Sequence, residues 1–161
     1  MTAEARFLAA RLAVAVALSA LAPALASAAD YRVTTETPAV LYDAPSLKAK
    51  PLFVYGRDVP MEVLVTVEGW TKVRDAGGSI GWLATKSLGD RHMLMVRVPM
   101  AEVRANPDEA SASVFRAEHN VLLELAETAS SAATTASPGW VKVRHRDGQT
   151  GYVRISQVFG L

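Results

Sequence analysis

Apolar and polar residues alternate most clearly between residues 59 and 68. Five apolar residues, Val59, Met61, Val63, Val65 and Val67, occupy every second position. Successive side chains of a β-strand point to opposite faces, so this spacing predicts one strand with these five side chains on a half-buried face.

Shorter strands are predicted at residues 71–74, 80–83 and 152–155. A glycine-containing turn at residues 75–79 separates the first two of these strands. Asp147-Gly148, a dipeptide typical of hairpin turns, precedes the third. Proline marks further connections, as at Pro45 and Pro107. Several short strands within about 60 residues predict an all-β fold built from small barrels.

An internal repeat organises these strands. The sequence GWTKVR, from Gly69 to Arg74, recurs as GWVKVR from Gly139 to Arg144, 70 residues later. Gly81 and Trp82 match Gly151 and Tyr152 at the same spacing. Upstream of these motifs the matching positions lie 62 residues apart, as in the pair formed by residues 45 and 107. Below, two residues related by these spacings are called equivalent.

The difference between the two spacings predicts an insertion in the second copy. Residues 127–138 are mostly Ala, Ser and Thr, with few side chains to bury, so we expect a surface loop there. The repeat therefore predicts two modules, residues 31–88 and 93–161. The link between them is so short that we expect the modules to touch.

The N-terminus predicts an export signal. Arg6 and Arg11 precede an uncharged run from Leu12 to Ala29 that ends in small residues, which is typical of a cleavage site after Ala28 or Ala29. The alternative is an uncleaved membrane anchor, for which the run is of borderline length. We expect residues 1–29 to be a signal peptide, the protein to be periplasmic or secreted, and no membrane span to remain after cleavage.

Composition excludes several kinds of chemistry. Seventeen basic and sixteen acidic residues give a net charge of +1, so no basic surplus favours nucleic-acid binding. The chain has no cysteine, hence no disulfide, thiol nucleophile or thiolate metal site. None of its three histidines lies at zinc-ligand spacing from another. We find no hydrolase, phosphate-loop or dinucleotide motif, and we expect no enzyme activity, metal or cofactor.

The repeated motifs resemble the bacterial SH3 domain. The resemblance rests on the two Gly-Trp-x-Lys-Val-Arg segments, on the following Gly-Trp or Gly-Tyr, and on the proline-containing segments 41–45 and 103–107. It implies two tandem small SH3-like β-barrels after the signal peptide, covering nearly all of residues 31–161. It also implies an envelope location, since members of this family are often attached to cell-wall hydrolases as wall-binding modules.

We assign two sets of residues on this basis. Most residues of the repeated motif are expected to be structural, with packing favoured over a ligand platform for the two tryptophans: Gly69, Trp70, Val73, Gly81, Gly139, Trp140, Val143 and Gly151. We expect Val73 to point inward and Trp70 to be half-buried at an edge, since Lys72 and Arg74 share its face.

Aromatic residues provide the candidate ligand-binding set, which consists of Tyr42, Tyr55, Trp82 and Tyr152. Tyr42 and Tyr55 have no aromatic equivalent in the second copy, which favours a role beyond packing.

Two functions follow as hypotheses. The first is a non-catalytic binding module for peptidoglycan or another cell-wall polymer. The alternative is a protein-interaction or scaffolding subunit of an envelope complex, whose partner would be another envelope protein.

Overall fold

Each repeat folds into a seven-stranded antiparallel sheet. The structure, a computed structural model, describes residues 29–126 and 138–161. The first sheet contains β1 (Asp30–Thr34), β2 (Ala39–Tyr42), β3 (Pro51–Tyr55), β4 (Pro60–Val67), β5 (Trp70–Arg74), β6 (Ile80–Ala84) and β7 (Leu88–Gly89). The second contains β8 (Met93–Val96), β9 (Met100–Arg104), β10 (Ser113–Glu118), β11 (Leu122–Leu125), β12 (Trp140–Arg144), β13 (Thr150–Arg154) and β14 (Val158–Phe159).

The two sheets share one topology. Their strand orders are β3-β2-β6-β5-β4-β1-β7 and β10-β9-β13-β12-β11-β8-β14, which place equivalent strands at the same positions. A short 3₁₀ turn precedes the last strand of each sheet, at Thr85–Ser87 and Ile155–Gln157. The prediction of an all-β chain of two tandem modules is confirmed.

Two predicted segments fall outside this description. The predicted signal peptide lies outside the described residues except for Ala29, and the predicted loop lies outside them except for Pro138. Within the described ranges, no helix is long and apolar enough to cross a membrane.

The alternation predicted along β4 holds only for its first half. Met61 is fully buried, but Val65 and Val67 are 45% and 43% exposed. The pairing of β4 with β5 slips between Val63 and Val65, so a bulge at Leu64 interrupts the two-residue period. The prediction that Val65 and Val67 lie on a buried face is therefore wrong, because this end of the hairpin extends beyond the core.

The two cores differ in size and polarity. In the first module five residues form the buried apolar cluster: Ala39, Leu41, Met61, Val73 and Leu83. In the second module ten residues form it: Leu94, Val96, Ala101, Val103, Ala117, Leu123, Val141, Val143, Val153 and Val158.

Buried hydroxyls occupy part of the first module's interior. Thr34 Oγ1 donates to the Gly56 carbonyl at 2.7 Å and accepts from the Val59 amide at 2.9 Å. The Thr71 and Thr85 hydroxyls lie 3.0 Å apart. These bonds satisfy groups that would otherwise be costly to bury.

Two glycines allow neighbouring strands to approach closely. A Cβ atom on Gly81 would lie 2.7 Å from the Tyr42 carbonyl oxygen, and one on Gly151 would lie 2.7 Å from that of Arg104. Any larger residue would push β6 away from β2, or β13 away from β9.

The modules contact each other, as the short link predicts. Tyr31 of β1 and Phe159 of β14 pack edge to face with ring centroids 5.3 Å apart. Arg91 in the link lies 3.0 Å from Asp58 of the first module and 3.5 Å from Glu124 of the second. The link therefore joins acidic groups on both modules.

Candidate ligand-binding groove

The first module carries a row of aromatic and basic side chains across three strands. Tyr42 of β2 lies opposite Trp82 of β6, and Trp82 lies opposite Lys72 of β5, so all three share one face of the sheet. The Lys72 Nζ atom lies 5.8 Å from the centre of the Trp82 ring, within range of a cation–π interaction.

Trp70, two residues before Lys72 on β5, extends this row. It lies opposite Ala84, whose small side chain leaves room above the sheet. The Tyr42 ring meets the Trp70 ring edge to face at 5.7 Å. Trp70 is only half-buried in this arrangement, so part of the indole is available to a ligand.

A groove of about 700 Å³ opens beside the exposed part of Trp70. The β2–β3 loop forms one wall, and the turn before β5 and the 3₁₀ turn after β6 form the other. Its lining includes Pro45, Leu47, Lys48, Gly69, Ala84 and Lys86. We call this space the Trp70 groove.

Local hydrogen bonds hold the β2–β3 loop in shape. Asp43 accepts the Lys50 amide through its carboxylate at 3.0 Å, and the Asp43 amide donates to the Lys50 carbonyl at 3.1 Å. Ser46 Oγ accepts the Lys48 amide at 3.1 Å. The loop therefore presents Leu47, whose surface is 76% exposed, and Lys48 from a closed turn.

The equivalent groove of the second module is closed by the protein itself. Arg154, equivalent to Ala84, lies over the Trp140 ring with its guanidinium carbon 4.4 Å from the ring centre. Its Nε donates to a carboxylate oxygen of Glu109, the equivalent of Leu47, at 2.8 Å. Trp140 is only 5% exposed in this arrangement.

Tyr152 lies beside arginine rather than beside a second aromatic ring. Its partner across the strands is Arg104, the equivalent of Tyr42. The Arg104 guanidinium donates hydrogen bonds to the Glu102 carboxylate at 2.6 Å and to the Ser111 carbonyl at 2.7 Å. Tyr152 therefore belongs to a face already filled by internal ion pairs.

Tyr55 lies apart from the groove, and its hydroxyl is already used. It donates to Asp75 Oδ2 at 2.7 Å, while Asp75 Oδ1 accepts the Ser79 amide at 2.7 Å. Burial, together with the hydrogen bond to the Asp75 carboxylate, raises the pKa of Tyr55 well above its usual range. These contacts indicate a role in bracing the β5–β6 turn.

The candidate set thus separates. The structure brings Tyr42 and Trp82 together with Trp70, which sequence reasoning assigned to packing, while Tyr55 and Tyr152 lie elsewhere. Leu47, Lys48, Ala84 and Lys86 were not singled out. A comparison of the two repeats could have identified Leu47 and Ala84. The second copy has an acidic residue, Glu109, and a basic residue, Arg154, at the equivalent positions.

The remaining polar groups show no assembled metal site. Among the described residues, no three His, Asp or Glu side chains lie close enough together to hold a metal ion. His145 Nδ1 lies 3.0 Å from Asp147 on an exposed turn. The Gln149 amide and the His145 ring lower the pKa of Asp147 below its usual range.

Comparison with known proteins identifies a family. A family model described as the bacterial SH3 domain matches residues 35–89 and 97–160, well over half of the chain. No curated protein matches the chain at a significant level.

Three solved structures are similar to this chain at low sequence identity. NlpC2 from Trichomonas vaginalis is 16% identical with a TM-score of 0.34, and the match covers 80% of this chain and 46% of the NlpC2 chain. NlpC1 from the same organism is 18% identical with a TM-score of 0.34, covering 88% and 50%. An NlpC/P60 family protein from Bacillus cereus ATCC 10987 is 16% identical with a TM-score of 0.37, covering 81% and 56%. The chain therefore spans about half the length of these proteins.

Proposed function

Since this chain belongs to the bacterial SH3 domain family, we propose that it is a non-catalytic binding protein of the cell envelope that holds a carboxylate-bearing wall polymer, such as peptidoglycan, in the Trp70 groove. The observation that carries the proposal is the open groove beside Trp70 in one module and its closure over Trp140 in the other.

The lining of the groove defines the chemistry of its ligand. Trp70, Leu47 and Pro45 offer apolar surface on which a sugar ring or a short peptide can pack. Lys48 and Lys86 add two positive charges at its rim, and no carboxylate is among the residues that line it. A ligand with apolar faces and carboxylate groups fits this combination, and wall glycopeptides have both features.

An envelope location is part of the same proposal. It is supported by the arginine-flanked apolar run that ends at Ala29. Mass spectrometry of the envelope fraction should find an N-terminus at Ala29 or Asp30. An intact Met1 would contradict export with cleavage.

The binding test copies the closure seen in the second module. We expect Leu47→Glu combined with Ala84→Arg to cover Trp70 and to weaken co-sedimentation with purified peptidoglycan by at least about tenfold. Binding by the natural protein should also weaken as salt rises, because lysine–carboxylate contacts at a surface are screened. Leu47 is exposed, so its replacement leaves the core intact.

A matched control adds the same negative charge outside the groove. Val54 is 65% exposed on β3, and Val54→Glu should leave wall binding unchanged. The reverse exchange, Glu109→Leu with Arg154→Ala, should uncover Trp140 and create a second site. Wall binding that is absent in the natural protein, or that survives closure of the Trp70 groove, would refute the proposal.

A specific observation favours protein interaction as the second candidate function. Strand β3 lies at the edge of its sheet and has no charged residue, and Leu52, Phe53 and Val54 are 38%, 51% and 65% exposed. The equivalent strand β10 carries Arg116 and Glu118, charges that discourage edge pairing. A protein partner could add a strand at β3. Val54→Lys should then abolish capture of that partner from crosslinked envelope while wall binding persists.

A further inference from the structure

A cleft lies between the two modules, on either side of the link. Its volume is about 520 Å³, and residues from the first module, the link and the second module line it. Six of these residues are charged or titratable: Asp58, Arg91, Glu124, Arg144, His145 and Arg146. The cleft is separate from the Trp70 groove, with which it shares no lining residue.

One arginine engages both carboxylates of the cleft. Arg91 of the link lies 3.0 Å from Asp58 and 3.5 Å from Glu124. The acids are therefore held against a cation that is part of the chain. Their ion-pair contacts are with the link and not with Arg144 or Arg146.

The first module shows what this arrangement changes. There Glu62, the equivalent of Glu124, pairs with Arg74 at 2.9 Å. Arg144 is the equivalent of Arg74 and lies opposite Glu124 on the neighbouring strand. Because Arg91 contacts Glu124, the second module lacks this ion pair, and Arg144 is left exposed at the cleft.

Arg146 adds a second cation of the same kind. It follows Arg144 by two residues, in the turn after β12, and its side chain is exposed. Over the parts of the chain that the structure describes, no carboxylate lies within ion-pair distance of Arg144 or Arg146. Arg144 and Arg146 therefore line the cleft with no carboxylate of the described residues in ion-pair contact.

We infer that this inter-module cleft binds a phosphate-type oxyanion through Arg144 and Arg146. Each guanidinium presents a planar fork of donors that matches two oxygens of an oxyanion. Two such forks suit a group with more than two acceptor oxygens, such as a phosphate ester or diphosphate, better than a single carboxylate. The inference does not depend on the function proposed for the Trp70 groove.

The test is a titration of the purified protein with inorganic phosphate and with diphosphate at constant ionic strength, followed by NMR of backbone amides and arginine side chains. We expect saturable shifts at Arg144, Arg146 and the neighbouring Asn120, which lines the same cleft. Acetate should bind at least about tenfold more weakly than diphosphate.

Variants decide which residues hold the anion. Arg144→Gln and Arg146→Gln should each weaken diphosphate binding by about tenfold, since a charge-assisted hydrogen bond is lost. Arg116→Gln is the matched control, because this exposed arginine of the same module lies outside the cleft. Leu47→Glu should leave diphosphate binding unchanged even if it abolishes wall binding.

Three results would overturn the inference. The first is a non-saturable shift spread over all arginines, the second an equal loss in Arg116→Gln, and the third acetate binding as tight as diphosphate binding. In each case the cleft would not be a phosphate site, whatever the outcome for the Trp70 groove.

Discussion

The two modules have the same strands in the same order, yet they use equivalent positions differently. Thr34 and Thr71 of the first module are replaced by Val96 and Val141, which lie in the larger apolar core of the second. At the surface, the first module leaves Trp70 beside an open groove, whereas Arg154 covers Trp140 in the second.

These differences teach how a duplicated domain can divide its roles. A half-exposed indole stabilises a small domain less than a buried one, since the stabilisation depends on the apolar area removed from water. The second module buries its tryptophan and builds a wider core, so we infer that it is the more stable part. The first module keeps the aromatic surface that a ligand can use.

The sharpest test of this comparison is truncation of each tryptophan. We expect Trp140→Ala to destabilise the second module by roughly 3–5 kcal/mol, the usual loss for a buried large aromatic residue. Trp70→Ala should cost less, about 1–2 kcal/mol, because the indole is only half-buried. Hydrogen exchange of the β12–β13 and β5–β6 amides measures the two modules separately.

Equal costs in the two modules would contradict the comparison. Equal costs would mean that the Trp70 indole is buried as completely as that of Trp140. The groove would then offer no exposed indole surface to a ligand. Phe53→Ala is a suitable control, since its side chain is 51% exposed on an edge strand and its loss should change stability little.

A second test exchanges a core residue between the modules. Val141→Thr should destabilise the second module by about 1–3 kcal/mol, because it buries a hydroxyl among aliphatic side chains. The equivalent of Thr85, the hydroxyl partner of Thr71, is Ile155, which cannot form a hydrogen bond with it. Thr71→Val should cost less than about 1 kcal/mol, since the hydroxyl it leaves behind belongs to Thr85, which is exposed and can bond water.

Chemical denaturation of the two variants and of the natural protein gives these differences directly. If Val141→Thr were harmless, the core of the second module would have room for a polar group. Its greater apolar extent would then not translate into greater stability.

Sequence reasoning predicted the strands and the repeat because both depend on short-range patterns. The motif from Gly69 to Arg74 carries the two-residue period of β5, and its recurrence identified the second module. The same reasoning failed at Val65, because the bulge at Leu64 depends on how β4 pairs with β5.

The sites were harder to predict, since they depend on which side chains meet across loops. Leu47 and Ala84 lie far apart in sequence and line the same groove only when the β2–β3 loop folds next to the end of β6. Similarly, nothing local indicates that Arg91 will contact Glu124 and leave Arg144 without an ion-pair partner among the described residues. Tyr55 was chosen because it lacks an aromatic equivalent, yet the structure gives its hydroxyl a bond to Asp75.

The smallest expected effect concerns this last residue and appears only at alkaline pH. Burial and the Asp75 carboxylate raise the pKa of Tyr55 in the folded protein above the ordinary tyrosine value of about 10. The unfolded chain therefore releases this phenolic proton at a lower pH than the folded one. The stability that the hydrogen bond contributes is fully present below pH 10 and is lost as the pH rises further. The second module has Ala117 at the equivalent position, so this loss is confined to the first.

Denaturation midpoints of the natural protein and of Tyr55→Phe, measured at intervals above pH 8, test this difference. The variant should be slightly less stable at neutral pH, by about 0.5–1.5 kcal/mol for one lost hydrogen bond. The gap should narrow above pH 10, because only the natural protein has a Tyr55 phenol to ionise on unfolding. Tyr31, whose pKa burial also raises, should still titrate in both proteins and serves as an internal control. A gap that stays constant to high pH would show that Tyr55 ionises as easily in the fold as outside it, and that the bond to Asp75 does not brace the β5–β6 turn.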